Sequence, residues 1–214
     1  MRKTFSVGTA MSVGWSTAIA NRGLLSKAVL SIAGLQLLAV LFNVDQVTTP
    51  RDVVAVLICL FAGILSAVCS IGLLSMSLKL VRGQKVAYEE IIPSFHVLWR
   101  LVLASVVSGV LILLGLVLFI VPGIYLALRF SLVKFITIDM PGVSIGDALR
   151  KSSAMTSGAK WELLGLVLVI LFINILGVIP LGLGLLVTMP VSFIALAYAY
   201  EALAKRASTH VHVR

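Results

Sequence analysis

Six apolar runs fill most of this chain, and the basic residues between them fall almost entirely on alternate breaks. The runs cover 24–44, 53–80, 101–121, 123–138, 161–179 and 184–204. A helix rises about 1.5 Å per residue, so crossing a hydrocarbon core of about 30 Å takes about 20 apolar residues. The fourth run is short for this, and the second is long enough to tilt or to project into water. The breaks suit the scheme. Residues 43–52 form a polar turn with Pro50, while Val121-Pro122-Gly123 and Ile179-Pro180-Leu181-Gly182 read as tight apolar turns. The longer breaks, 81–100 and 139–160, carry basic residues.

Counting charges sets the orientation. One side holds Arg2, Lys3, Arg22, Lys27, Lys79, Arg82, Lys85, Arg100, Arg150, Lys151, Lys160, Lys205, Arg206 and Arg214; the other holds Arg51 alone. Basic segments beside spans stay cytoplasmic. The pattern predicts a single integral domain over 1–214, multi-pass in the cell (inner) membrane, with six spans and both termini cytoplasmic.

Composition excludes other classes. Hydrophobic residues make up 60% and charged ones 12%, against about 45–50% and about 25% in a soluble domain. A mean hydropathy of +1.15 leaves no room for a soluble domain of useful size. The net charge of +9 is spread over four interface segments without aromatic interleaving. It therefore suits the anionic headgroups of membrane lipids and not nucleic acid. Residues 4–21 lack the continuous apolar core of a secretory signal. Cys59 and Cys69, ten residues apart in one run, would stand about 15 Å apart on a helix, beyond disulfide reach.

The cytoplasmic stretches ahead of spans one, three and five share a plan. Ser6-Val7-Gly8-Thr9-Ala10-Met11 resembles Ser144-Ile145-Gly146-Asp147-Ala148-Leu149, and each opens on a Ser suited to a helix start. A weaker third copy covers 88–99, with Ile91, Phe95 and Leu98 on one face. Each copy carries one tryptophan, Trp15, Trp99 or Trp161, a residue that anchors at the membrane interface. These features predict an all-α bundle of three degenerate units, about 5–80, 81–140 and 141–206. Each unit would be an interfacial amphipathic helix followed by a transmembrane hairpin.

The run Phe119-Ile-Val-Pro-Gly-Ile-Tyr-Leu-Ala-Leu-Arg-Phe130 and the later Asp147-Ala-Leu-Arg-Lys-Ser-Ser153, with Lys160-Trp-Glu-Leu-Leu164 behind it, carry a resemblance. They resemble a broad group of bacterial and archaeal six-span membrane proteins of unknown function. That group is similar to the membrane domain attached to some glycerophosphoryl diester phosphodiesterases. The resemblance implies a helical membrane fold. The soluble phosphodiesterase domain, with its acidic and His metal ligands, has no counterpart here, so that activity does not transfer.

Arg129 is the candidate ligand-binding residue. Seven residues inward from Pro122, it would lie about 10 Å below the outer end of span four. An intramembrane charge is costly and marks a functional site by default. Its two readings are an anion or lipid-phosphate site using the planar guanidinium, or a structural group that snorkels or bonds carbonyls freed at Pro122 or Pro180. Lys134 reads as a snorkelling side chain. Gln36 and Asn174, at equivalent depths in spans one and five, are expected to hydrogen-bond each other as structural polar residues. The pairs Ala104/Ser108, Ser105/Gly109 and Gly63/Ala67 predict close helix contact, within the bundle or across a homo-oligomer.

Other candidates are weaker. His96 stands alone, and His210-Val-His212 has no Cys or acidic partner, so no metal or other cofactor is expected. No Ser lies in a nucleophile elbow. The chain therefore reads as a non-enzymatic membrane protein organising lipids or as yet unknown partner proteins at the cytoplasmic face. The alternative is a small transporter or channel for an anionic or lipid-like substrate. Against transport stands the absence of Asp and Glu from the six runs, apart from Glu162 and Glu201 near their cytoplasmic ends.

Overall fold

The computed structural model describes residues 5–41, 50–92, 95–179 and 183–211. Among these the chain forms nine α-helices and one 3-10 turn, with no strand. The helices are α1 (Val7–Ala20), α2 (Arg22–Leu41), α3 (Pro50–Val81), α4 (Phe95–Leu118), α5 (Ile120–Phe130), α6 (Val133–Asp139), α7 (Ile145–Thr156), α8 (Lys160–Val178) and α9 (Leu185–Val211). The 3-10 turn, Tyr88–Ile91, precedes α4. Most of the polar break at 43–52 and the centre of the Pro180 turn lie outside the described residues.

Four helical stretches are long and apolar enough to cross a membrane: Val53–Val81, Val97–Gly115, Lys160–Val178 and Leu185–Ala207. Their outer faces expose large apolar side chains such as Phe61, Ile64, Leu113 and Phe172. In water such continuous surfaces would drive association, whereas hydrocarbon solvates them. The chain is an all-helical membrane protein. α2 adds a further helix of 20 residues, packed along α3.

The fourth apolar run is not one helix. It breaks at Ser131–Leu132 into α5 and α6, of 11 and 7 residues. A continuous helix would offer the Arg129 carbonyl to the amide of Val133. Instead that carbonyl accepts the Ser152 hydroxyl at 2.7 Å and the Thr156 hydroxyl at 3.5 Å, both from α7. The hydroxyls satisfy the backbone group that the break exposes, so it carries little penalty.

Two of the three expected interfacial segments are separate helices, and the third is not. α7 starts at Ser144, whose Oγ accepts the Asp147 amide at 3.1 Å and donates to its carboxylate at 2.6 Å. α1 starts at Ser6 with the extended backbone of a cap but no side-chain cap bond. The copy at 88–99 resolves into the short 3-10 turn and the first residues of α4. Glu90 reaches back to the Ala87 amide at 3.2 Å and holds that turn, which is too short to be an amphipathic helix.

The core gathers around α9, whose Ile194, Ala195, Ala197, Ala199, Tyr200 and Leu203 are buried. One cluster joins it to α6 through Val133, Phe135 and Ile136, with Phe135 stacked on Tyr200 at 5.5 Å between centroids. A second joins it to α2 and α3 through Leu25, Val29, Leu73 and Met76. α1 lies along α9 with Ala10, Gly14 and Ala18 as its buried stripe. A Cβ at Gly14 would come within 2.8 Å of the Val191 carbonyl, so this approach depends on glycine.

Candidate functional site

The two sequence segments that carry the family resemblance meet in space. Arg129 closes α5, and its Nε donates to Ser153 Oγ of α7 at 2.6 Å, next to the bond from Ser152 to the Arg129 carbonyl. Among the described residues Arg129 bonds no carbonyl at the Pro122 or Pro180 turns. The break after Phe130 ends α5 against α7, and hydroxyls of α7 serve as its partners. Among the described residues no carboxylate pairs with it.

An open cleft of about 460 Å³ lies over this junction, lined by Arg129, Phe130, Leu149, Arg150, Ser153 and Ser157, with Ala154. Its rim is basic. Arg150 stands on α7, with its nearest carboxylate, Asp147, only at the 4.0 Å limit of an ion pair. On the other flank of α5, the Lys160 ammonium donates to Tyr125 Oη at 2.7 Å and sits 4.1 Å from the ring centroid. The arrangement can hold an anion: two guanidiniums, from α5 and α7, line one opening together with the hydroxyls of Ser153 and Ser157.

A second polar cluster ties the helix ends together. Arg82, just past α3, bonds Asp139 of α6 at 2.7 Å and Glu201 of α9 at 2.5 Å. Tyr200 donates its hydroxyl to Asp139 at 2.8 Å. Lys79 pairs with Glu90 of the 3-10 turn. A cavity of about 390 Å³ opens here, lined by Lys79, Arg82, Glu90 and Asp139 among others. Burial opposes the Arg82 charge, but hydrogen bonds to Asp139 and then Glu201 outweigh it and raise its pKa. The hydrogen bond from Lys79, then that from the Ala87 amide, holds Glu90 below the usual carboxylate range. These charges satisfy one another, so the cluster reads as a clasp. Sequence reading left Asp139 and Glu201 at the helix ends without partners. In the sequence Asp139 directly follows the fourth apolar run and Glu201 lies near the end of the sixth, both on the same side as Arg82.

Gln36 and Asn174 do not pair with each other. Gln36 donates to Ser66 of α3 at 3.0 Å. Asn174 donates to Ser192 of α9 at 2.8 Å and accepts from Thr188 at 2.9 Å. Each amide bonds a hydroxyl on the next long helix of its own hairpin, where a partner is already held close. Ala104 and Ser108 are buried, as close contact requires, whereas Gly63 and Ala67 face outward. Lys134 is exposed while its neighbours Val133, Phe135, Ile136 and Thr137 are buried. Trp15, Trp99 and Trp161 all point outward, Trp161 with 85% of its surface exposed. Cys59 and Cys69 form no disulfide. The side chains of His96 and His210, and all of His212, lie outside the described residues. Among the described residues no three His, Cys, Asp or Glu side chains converge as metal ligands.

Residues 106–207, from within α4 to near the end of α9, match the model of a family described as "Protein of unknown function (DUF975)". That match brings no link to the phosphodiesterase membrane domain. No curated protein and no solved structure matches the chain. What this chain is similar to, over nearly half its length, is an uncharacterised family whose matched region contains both the α5–α7 junction and two members of the clasp.

Proposed function

We propose that this chain is a six-span protein of the cell (inner) membrane, with both termini cytoplasmic, that organises anionic lipids at the cytoplasmic face without catalysing a reaction. α2, α3, α4, α8 and α9 serve as spans, and the broken α5–α6 pair serves as the fourth. The chain is built from three degenerate hairpin units, the middle one lacking its own interfacial helix. The observation that carries the reading is the basic cleft at the α5–α7 junction, which Arg129 and Arg150 line together with Ser153 and Ser157. The charge asymmetry of the loops supports the orientation. The outward-facing tryptophans support interface anchoring, and the resemblance of 119–130 and 147–164 to a phosphodiesterase-linked membrane domain supports a lipid setting. Partner proteins, or a second copy of the chain, would dock on the same cytoplasmic surface or along the exposed helix faces.

The test is the lipid that accompanies the protein out of its native membrane. Extracted in a polymer-bounded bilayer disc, the protein should carry anionic phospholipid enriched over the bulk membrane. A disc with bulk composition contradicts the proposal. A second reading, transport of an anionic or lipid-like substrate past Arg129, draws on the open shape of the same cleft. It predicts flux of a fluorescent anionic lipid in proteoliposomes, which the lipid-organising reading does not.

A further inference from the structure

Arg129 presents a specific chemical demand. It ends an otherwise apolar helix, Ile120–Phe130, and its Nε is committed to Ser153. Its two terminal nitrogens have no acceptor among the described residues. A guanidinium in this setting is stabilised by a partner that can take both parallel N–H bonds. Across the cleft Arg150 is anchored only by the α7 backbone: its side chain is 87% exposed and Asp147, itself bonded to Ser144, is 4.0 Å away. Ser153 and Ser157 lie on the α7 side of the same cleft. Lys160, held over the Tyr125 ring one turn before Arg129, adds positive potential on the adjoining flank. The charged side chains that line the cleft, Arg129 and Arg150, are both basic.

We propose that the α5–α7 cleft is a specific site for the phosphate of an anionic membrane lipid. The free edge of Arg129 takes two phosphate oxygens, and Arg150 closes over the headgroup from α7. This deepens and rests on the lipid-organising reading. The source is a lipid because the cleft opens beside Phe130 and Leu149 and the outward apolar surface of α5, with Ile124 exposed, where acyl chains can lie. The site also explains the arrangement of α7: Ser152 and Thr156 hold the broken end of α5 in place, and Ser153 orients the arginine.

The experiment uses the full chain in detergent. Native mass spectrometry follows the first bound phosphatidylglycerol against phosphatidylcholine of identical acyl chains. Arg129→Gln and Arg150→Gln should each weaken the first phosphatidylglycerol about tenfold, the size of one lost charge-assisted bond. Lys85→Gln removes an exposed cation elsewhere and should change it less than about twofold. Arg150 lies on the surface, so its variant folds even if the Arg129 variant does not. Equal effects from Lys85→Gln and Arg150→Gln overturn the site, as does a first lipid that fails to discriminate between the two headgroups. Displacement by millimolar inorganic phosphate also overturns it, by making the ligand a soluble anion. The lipid carried in the native disc separates the two levels: anionic enrichment that Arg129→Gln and Arg150→Gln leave unchanged refutes the cleft alone, while a disc of bulk composition refutes the lipid-organising reading.

Discussion

Replacing Arg82 with Gln tests whether the helix ends are tied together by one cation. The Arg82 side chain is 34% exposed, and those of Asp139 and Glu201 are 21% and 16% exposed. Removing one partner from a fully buried pair costs about 3–5 kcal/mol, because the partner is left charged and unsolvated. Here two carboxylates lose their shared cation at once, but water reaches about a third of the arginine and screens the pair. About 2 kcal/mol is the resulting expectation. For a chain of this size that is roughly a 4–8 °C fall in Tm. The three tryptophans supply an intrinsic signal for thermal unfolding in detergent. Lys85→Gln, an exposed loop cation with no bonded carboxylate among the described residues, should stay within about 1 °C. Glu201→Gln should remove part of the effect of Arg82→Gln in the double variant, because the two share one interaction. A fall no larger than that of Lys85→Gln, or strict additivity of the two changes, refutes the clasp.

Gly72 packs under the 3-10 turn so closely that a Cβ there would fall on the Ile91 carbonyl, whereas Gly63 has open space around it. Gly72→Ala should therefore lower stability by about 1–3 kcal/mol or more. Gly63→Ala should be neutral or stabilising by up to about 1 kcal/mol; equal Tm shifts would contradict the packing. Glu90 has a lowered folded-state pKa, so its stabilising effect is present above the unfolded carboxylate range and fades as pH falls through the folded value. A Tm series from pH 7 to pH 3 should show wild type losing more on the acid side than Glu90→Gln, by a small margin given the exposure of the pair. Cysteines replacing Gln36 and Ser66 should cross-link in preference to cysteines replacing Gln36 and Asn174, and the opposite preference would reinstate a bond between α2 and α8.

The long helices were legible because their apolar runs exceed any turn signal, and α3, α4, α8 and α9 follow those runs closely. The break between α5 and α6 was not, since Ser131-Leu132 carries neither Pro nor Gly. The groups that satisfy it lie on another helix, in the hydroxyls of Ser152 and Thr156. Arg129 stands out in the sequence as an anomaly in an apolar helix, but depth counted from Pro122 presumes one straight span and does not point to its described partner, Ser153 of α7. Gln36 and Asn174 bond Ser66 and Ser192, not each other. Matched depth cannot say which face of a helix an amide occupies, and each bonds the hydroxyl its own hairpin brings near. The clasp needs three residues more than fifty positions apart to converge, which periodicity does not encode.

The most direct test of the account is the side of the membrane reached by each break. Fluorescent and phosphatase reporters fused after residues 48, 90, 150 and 214 are each active on one side only. Six spans with cytoplasmic termini predict outside, inside, inside and inside, in that order. An outside signal at 214, or an inside signal at 48, would contradict the orientation on which the proposed lipid-organising role of the basic face rests.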